Sequence, residues 1–345
     1  MIEDKNTLPQ LEHIDIEITR NCNYKCIHCS AQKFEQESLK ELSIGEIQSI
    51  IDSSIKMGLN KIGFTGGEPL LVKDNLFELI KYSKYNYDLP IHIHSNGSLM
   101  NKENTLKLKK YDVLTTISIF SLQKNINDFI TGTNGSLNKS LKGIKNAIKY
   151  HLDLHIFIVP LKQNIIHIKD LIIKLNQLGA NKFRILSLSP TGRAINAYED
   201  ISLNNEEIDR LSIDLKDLIE NYEINIQCGF CTHQNLPALS FLKGHDQCYS
   251  GKNRLHIDSY GNVFPCTAAS GRLVFSAGNI RNIPLKDIWY ESPLLQFIRR
   301  FHNEKPLKCR NCTKYEECMG GCRVQMAFLY NDFTKVKPNC GGPYL

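Results

Sequence analysis

Twelve cysteines, gathered in clusters rather than spread evenly, constrain this 345-residue chain more than any other feature. Three fall at Cys22, Cys26 and Cys29, two at Cys228 and Cys231, and seven from Cys248 to Cys340. The opening stretch, MIEDKNTLPQLEHIDIEITR, carries acids throughout and lacks the apolar centre of an export signal. The thiols are therefore expected in a reducing cytoplasm, as metal ligands or reactive groups rather than disulfides. No uncharged apolar run nears the roughly 20 residues that span a bilayer, which excludes an integral membrane protein. With 42% apolar and 23% charged residues, the composition is that of a globular protein long enough for two domains.

The formal charge of +6 is concentrated at one end: from Asn225 onward there are 15 Lys and Arg against 8 Asp and Glu. A basic tail of this kind can serve nucleic acid, but these cations stand singly apart from Arg299-Arg300, so no nucleic-acid partner is expected. Clusters bound by several thiolates, each carrying about −2, would need the same compensation.

Through the first two-thirds of the chain, strand and helix patterns alternate. Ile14, Ile16 and Ile18 alternate with polar residues, and further strands are expected at 61–64, 91–94, 113–119, 154–159 and 183–188. A capping box, Ser43 with Glu46, opens the first helix, and helical patterns follow near 75–85, 102–110, 139–150 and 165–178. Six such units predict a parallel sheet with right-handed crossovers, open or partly closed, with ligands at the C-terminal ends of the strands. After Ser189-Pro190-Thr191-Gly192 the rhythm stops, and one helix over about 204–222 leads into a segment rich in Cys, Gly and Pro. That segment buries little apolar surface alone, and metal clusters would cross-link it.

Cys22, Cys26 and Cys29 follow the first strand with spacing C-x3-C-x2-C. Three thiolates on one loop suit a [4Fe–4S] cube with one open iron; a zinc site would need a fourth ligand, for which His28 is poorly placed between two cysteines. The second strand ends in Thr65-Gly66-Gly67-Glu68-Pro69, a turn that lets a ligand approach the backbone closely. With these motifs, residues 12–200 resemble the radical S-adenosylmethionine (radical SAM) superfamily. The resemblance implies a partial (β/α)6 TIM-like barrel in which the three cysteines hold the SAM-binding cluster and Gly66, Gly67 and Glu68 meet the methionyl amine. It also implies that His28, Ser95, Asn96 and Ser118 line the SAM pocket, and that Gly135-Ser136 forms the turn after strand four. Phe120 departs from the family's usual Asp.

The later cysteines run Cys248-x12-Gly261-x4-Cys266, then Cys309-x2-Cys312-x5-Cys318-x3-Cys322, then Cys340. Paired C-x2-C elements also occur in zinc ribbons, although seven is an awkward number for four-ligand sites. The order and spacing resemble the SPASM extension of radical SAM enzymes, a small cysteine-rich C-terminal domain placed at 245–345 behind a bridging region at 201–244. By that resemblance Cys309, Cys312, Cys318 and Cys340 hold one auxiliary [4Fe–4S] cluster, and Cys248, Cys266 and Cys322 the other. Cys228 and Cys231 are left over: one completes the second cluster, donates a hydrogen atom, or is an ordinary thiol.

His92 and His94 share a strand face and suit interior hydrogen bonding or the cavity, and Arg193 suits a substrate carboxylate or a surface loop. The resemblance implies modification of a ribosomally made peptide, by cross-link, thioether or epimer, with flavodoxin or ferredoxin as electron donor. Sulfatase maturation and tetrapyrrole modification are the alternatives. A barrel starting near residue 12 leaves no room for an N-terminal peptide-recognition domain, so either a separate leader-binding protein or direct substrate capture in the cavity is expected to replace it. A non-catalytic zinc or iron–sulfur protein is the reading outside enzymes.

Overall fold

A computed structural model of the chain describes residues 8–30, 40–229, 236–243, 248–270, 272–313, 315, 320–332 and 334–336. Strand β1, His13–Thr19, is the hub of its sheet. On one side it pairs in parallel with β2, Lys61–Gly66, followed by β3, Ile91–Ser95, and β4, Leu114–Ser118. The parallel series continues through β5, Leu154–Ile158, and β6, Phe183–Ile185, to β7, Ile226–Cys228. On its other side β1 pairs in parallel with β8, Arg254–Ile257. Antiparallel β9, Asn262–Phe264, and β10, Gly278–Asn279, complete the order β10-β9-β8-β1-β2-β3-β4-β5-β6-β7.

The expected alternation of strands and helices is observed. Helix α1, Ile44–Ile55, begins at the Ser43–Glu46 capping box. Then follow α2, Lys73–Tyr87; α3, Lys102–Lys110; α4, Lys124–Thr131; α5, Ser136–Lys149; α6, Ile168–Gln177; α7, Ala194–Ile201; and α8, Asn205–Glu220. The C-terminal segment adds α9, Leu285–Glu291; α10, Pro293–Asn303; and α11, Arg323–Tyr330. The sheet does not stop near residue 200: β7 comes from the bridging stretch and β8 from the cysteine-rich one. Strands of three and four residues carry no readable period, and only their neighbours in space identify them.

Alternation along the strands sets what faces inward. Ile14, Ile16, Ile62, Ile93, Ile117 and Ile156 lie with the helix residues Ile47, Ile51, Leu76 and Leu79 in one apolar core. The opposite face of β1 carries Asp15 and Glu17, both buried. Asp15 Oδ1 lies 2.9 Å from His92 Nε2, and Asp15 Oδ2 accepts from the Arg254 guanidinium on β8. Gly63 on β2 makes this meeting possible, since a Cβ there would fall 2.2 Å from Asp15 Oδ1 and 2.3 Å from His92 Nε2. One register further along, Glu17 Oε1 lies 3.1 Å from both His256 Nε2 and Ser270 Oγ.

Burial pushes the Asp15 carboxyl up, but Arg254, His13 and His92 overcome it and hold the group well below the usual carboxylate range. His13, Asp15 and His92 have the donor types of a divalent-cation site. The positive charges of Arg254 and Lys61 beside them favour a hydrogen-bonded knot instead. Asp15→Asn leaves a buried guanidinium without its counter-charge and is expected to cost about 3 kcal/mol at neutral pH in urea unfolding. Because the folded-state value is depressed, that contribution is complete above the unfolded carboxylate range near 4. It is lost as pH falls through the lower folded value, so wild type and variant converge in acid.

Candidate active site

The loop after β1 is fixed from several sides before any ligand is considered. Lys25 N donates to Thr131 O and Ile27 N to Ile130 O, each at 2.9 Å, and Tyr24 Oη donates to Ser136 O at 3.1 Å. Gly135 is the N-cap of α5 and Ser136 its first residue, so the pair follows α4 rather than β4 directly, and Ser136 O anchors Tyr24. Cys22, Cys26 and Cys29 are carried on this loop. Two donors already address the Cys22 sulfur: Tyr24 N at 3.4 Å and Asn96 Nδ2 at 3.9 Å.

Beside this loop, β2 ends in Gly66-Gly67. Gly66 has φ +140°, and Cβ atoms on Gly66 and Gly67 would fall 2.1 Å from Thr19 O and Asn21 O. Gly67 N and Glu68 N donate to those same two oxygens, each at 2.8 Å. The paired glycines thus let the turn press against the backbone that leads into Cys22. Glu68 differs from its expected place. It is fully buried and absent from the cavity wall, with Oε1 accepting from Leu70 N and Ser95 Oγ and Oε2 from Asn96 N. Burial pushes its carboxyl up to about 7 against those three donors. Its work here is to hold the Ser95-Asn96 corner.

A cavity of about 500 Å³ opens over the C-terminal strand ends. Cys22, Cys26, Cys29, His28, Gly66, Gly67, Ser95, Asn96 and Ser118 all line it. His94 lines it too, whereas His92 is the interior histidine bonded to Asp15. The His28 ring stacks edge-on against Phe120 with centroids 4.5 Å apart, its Nδ1 is buried without a hydrogen bond, and burial lowers its pKa to about 4. Phe120, Phe157, Val159 and Leu188 are among the apolar residues of the wall.

Cys248, Cys266 and Cys322 line the same cavity. Burial, then Cys322 and Cys248, pushes the Cys266 thiol up to about 12. Burial also raises Cys26, with Cys29 and Cys22 adding to the effect. Two groups of mutually repelling thiols that resist ionisation suit sites where a metal cluster takes up the thiolates. Cys309 is buried near Arg323, with Cys312 N donating to Cys309 O at 3.1 Å. Cys231, Cys318 and Cys340 lie outside the described residues.

One expectation is corrected. Cys228 is neither a ligand beside Cys248 nor a hydrogen donor facing the cavity: it sits on β7, 1% exposed, in the apolar core. Its sulfur lies 3.8 Å from Leu239 O, and burial raises its pKa to about 12. The sequence reading also missed Tyr24 as an anchor, for which a tyrosine between two cysteines is no signal. Arg254 and Arg323 on the cavity wall were likewise unforeseen.

Residues 16–175 match the family model of the Radical SAM superfamily, and residues 248–313 match SPASM, an iron–sulfur cluster-binding domain. An AdoMet-dependent heme synthase of Oleidesulfovibrio alaskensis is 27% identical over 96% of this chain and 87% of that protein. The mycofactocin maturase MftC of Mycobacterium ulcerans is 26% identical over 94% of this chain and 86% of its own length. Among solved structures, Streptococcus suis SuiB bound to precursor peptide SuiA superposes with a TM-score of 0.76. That likeness, at 22% identity, covers 97% of this chain and 76% of SuiB, and is one of fold.

Proposed function

We propose that this chain, a radical SAM enzyme with a C-terminal SPASM domain, modifies a peptide substrate that admits a side chain into the cavity between its two cysteine groups. The observation carrying this reading is that a single cavity is lined both by Cys22, Cys26 and Cys29 and by Cys248, Cys266 and Cys322. Its volume lies within the roughly 300–1,000 Å³ that houses one drug-sized ligand. SAM is such a ligand, so a larger substrate would enter beside it with a side chain only, its remainder staying outside. MftC, a maturase, supports the same direction.

In this assignment Cys22, Cys26 and Cys29 hold the SAM-binding cluster. Cys248, Cys266 and Cys322 belong to one auxiliary cluster, and Cys309, Cys312, Cys318 and Cys340 to the other. When bound, these groups supply a 5′-deoxyadenosyl radical that takes a hydrogen atom from an unactivated C–H, and an acceptor for the substrate's second electron. The chain's own residues do the rest. Gly66 and Gly67 keep the turn against the cysteine loop, Glu68 holds Ser95 and Asn96 at the wall, and His28, Ser118 and Phe120 face the adenosyl portion. Phe157, Val159 and Leu188 exclude water that would quench a radical.

The test is anaerobic reconstitution with iron, sulfide and zinc counting. The reconstituted enzyme is then incubated with SAM, dithionite and the peptide encoded by a short neighbouring reading frame. Loss of two hydrogens from the peptide signals a cross-link, and uptake of one deuterium from D2O an epimer. Stoichiometric zinc without SAM cleavage would overturn the enzyme reading. The heme-synthase relatives favour a second reading, a tetrapyrrole side chain as substrate; turnover of an iron coproporphyrin with an inert peptide would select it. Cys266→Ala is expected to keep SAM cleavage within a few-fold while product falls by about 100-fold or more. Undiminished product, followed by mass spectrometry, would free that cysteine of any role.

A further inference from the structure

The turn after β6 grips the cysteine loop at two points with one residue. Arg193 N donates to Cys29 O, and Arg193 Nε donates to Cys26 O, both at 2.9 Å. Gly192, with φ +58°, lets the turn come this close, since a Cβ there would fall 2.3 Å from Ser30 O and 2.5 Å from Cys29 O. At the other end of the turn, Leu188 O accepts from Gln325 Nε2 at 2.9 Å. Gln325 stands three residues beyond Cys322, on α11. Residues 188–193 therefore form a strap from the C-terminal cysteine segment to the carbonyls of the SAM-cluster loop.

We propose that Arg193 is a positioning residue for this loop, and that its guanidinium raises the reduction potential of the cluster the loop holds. Reduction adds negative charge, and a fixed cation at the loop stabilises the reduced form in a poorly solvated setting. Arg20, another arginine on the cavity wall, is paired with Glu17 and Asp258, which cancel its field. The inference rests on the assignment of Cys22, Cys26 and Cys29 to the SAM-binding cluster and is independent of the substrate.

Full-length Arg193→Met, Arg193→Gln and Arg193→Lys, reconstituted anaerobically, are titrated while the SAM-responsive paramagnetic signal is followed. Met and Gln are expected to lower the midpoint by at least about 59 mV, tenfold in a one-electron equilibrium. Lys, which keeps the charge, is expected to stay within half that shift of wild type. A wild-type midpoint in Met or Gln, or an equal fall in all three, would overturn the electrostatic role. Hydrogen exchange across residues 22–30 of the iron-free protein is expected to rise in Met, and unchanged exchange would overturn the positioning role. A wild-type protein with no SAM-responsive signal would overturn the cluster assignment itself, a result distinct from the other two.

Discussion

Cys26→Ala is expected to abolish reductive SAM cleavage, with 5′-deoxyadenosine falling by at least about a thousandfold, some 4 kcal/mol of barrier. Cys26 is the informative choice because its backbone does separate work from its thiol. The Cys26 carbonyl accepts from Cys29 N at 3.3 Å and from Arg193 Nε, and alanine preserves both bonds. Only one corner of the proposed cluster is removed. Iron content, the SAM-responsive signal and 5′-deoxyadenosine should fall together while urea unfolding of the iron-free protein stays near wild type. A Cys26→Ala enzyme that cleaves SAM at the wild-type rate would sink the assignment.

Gly67→Ala acts on the same loop through the backbone. The added methyl meets Asn21 O at 2.1 Å and Arg20 O at 2.7 Å, both main-chain atoms that cannot swing aside. Relief requires β1 and the β2 turn to part, breaking the Gly67 N to Thr19 O and Glu68 N to Asn21 O bonds. A loss of about 3 kcal/mol in stability is expected. SAM affinity should weaken by at least about tenfold, a cost of 1.4 kcal/mol. Calorimetric titration and urea unfolding measure the two effects. Gly45→Ala is the control: nothing lies within 4 Å of its Cβ position in the first turn of α1, so stability should hold or rise slightly. Equal behaviour of the two variants would remove the steric argument.

Much of this site is legible in the sequence because its parts are local. A triad within eight residues travels on one loop, and a glycine pair at a strand end needs no distant partner to be recognised. The strand series is similarly plain, since Ile14, Ile16 and Ile18 declare their period within seven residues. What could not be read is long-range. Three-residue β7 and four-residue β8 acquire their identity from β6 and β1, far away in the chain. Glu68 reads as a ligand residue beside the glycines, yet its direction is set by donors on the β3 corner, Ser95 and Asn96. Cys228 reads as a leftover thiol among ligands until β7 places it in the core. Arg193 is visible as an arginine after a turn, but its two acceptors lie more than 160 residues upstream.

The adjacency of β8 to β1 bears on how the two ends of the protein can be separated. The cysteine-rich part is not an appendage on a finished barrel, because its first strand is the barrel's next stave. An N-terminal fragment ending before Arg254 would leave the hub strand with a bare row of amides and carbonyls open to association with other chains. Asp15 and Glu17 would lose Arg254 and His256 at the same stroke. The two halves are thus poor candidates for modular exchange: any recombination between relatives must carry the seam with it, matching acids on the first strand to bases on the eighth.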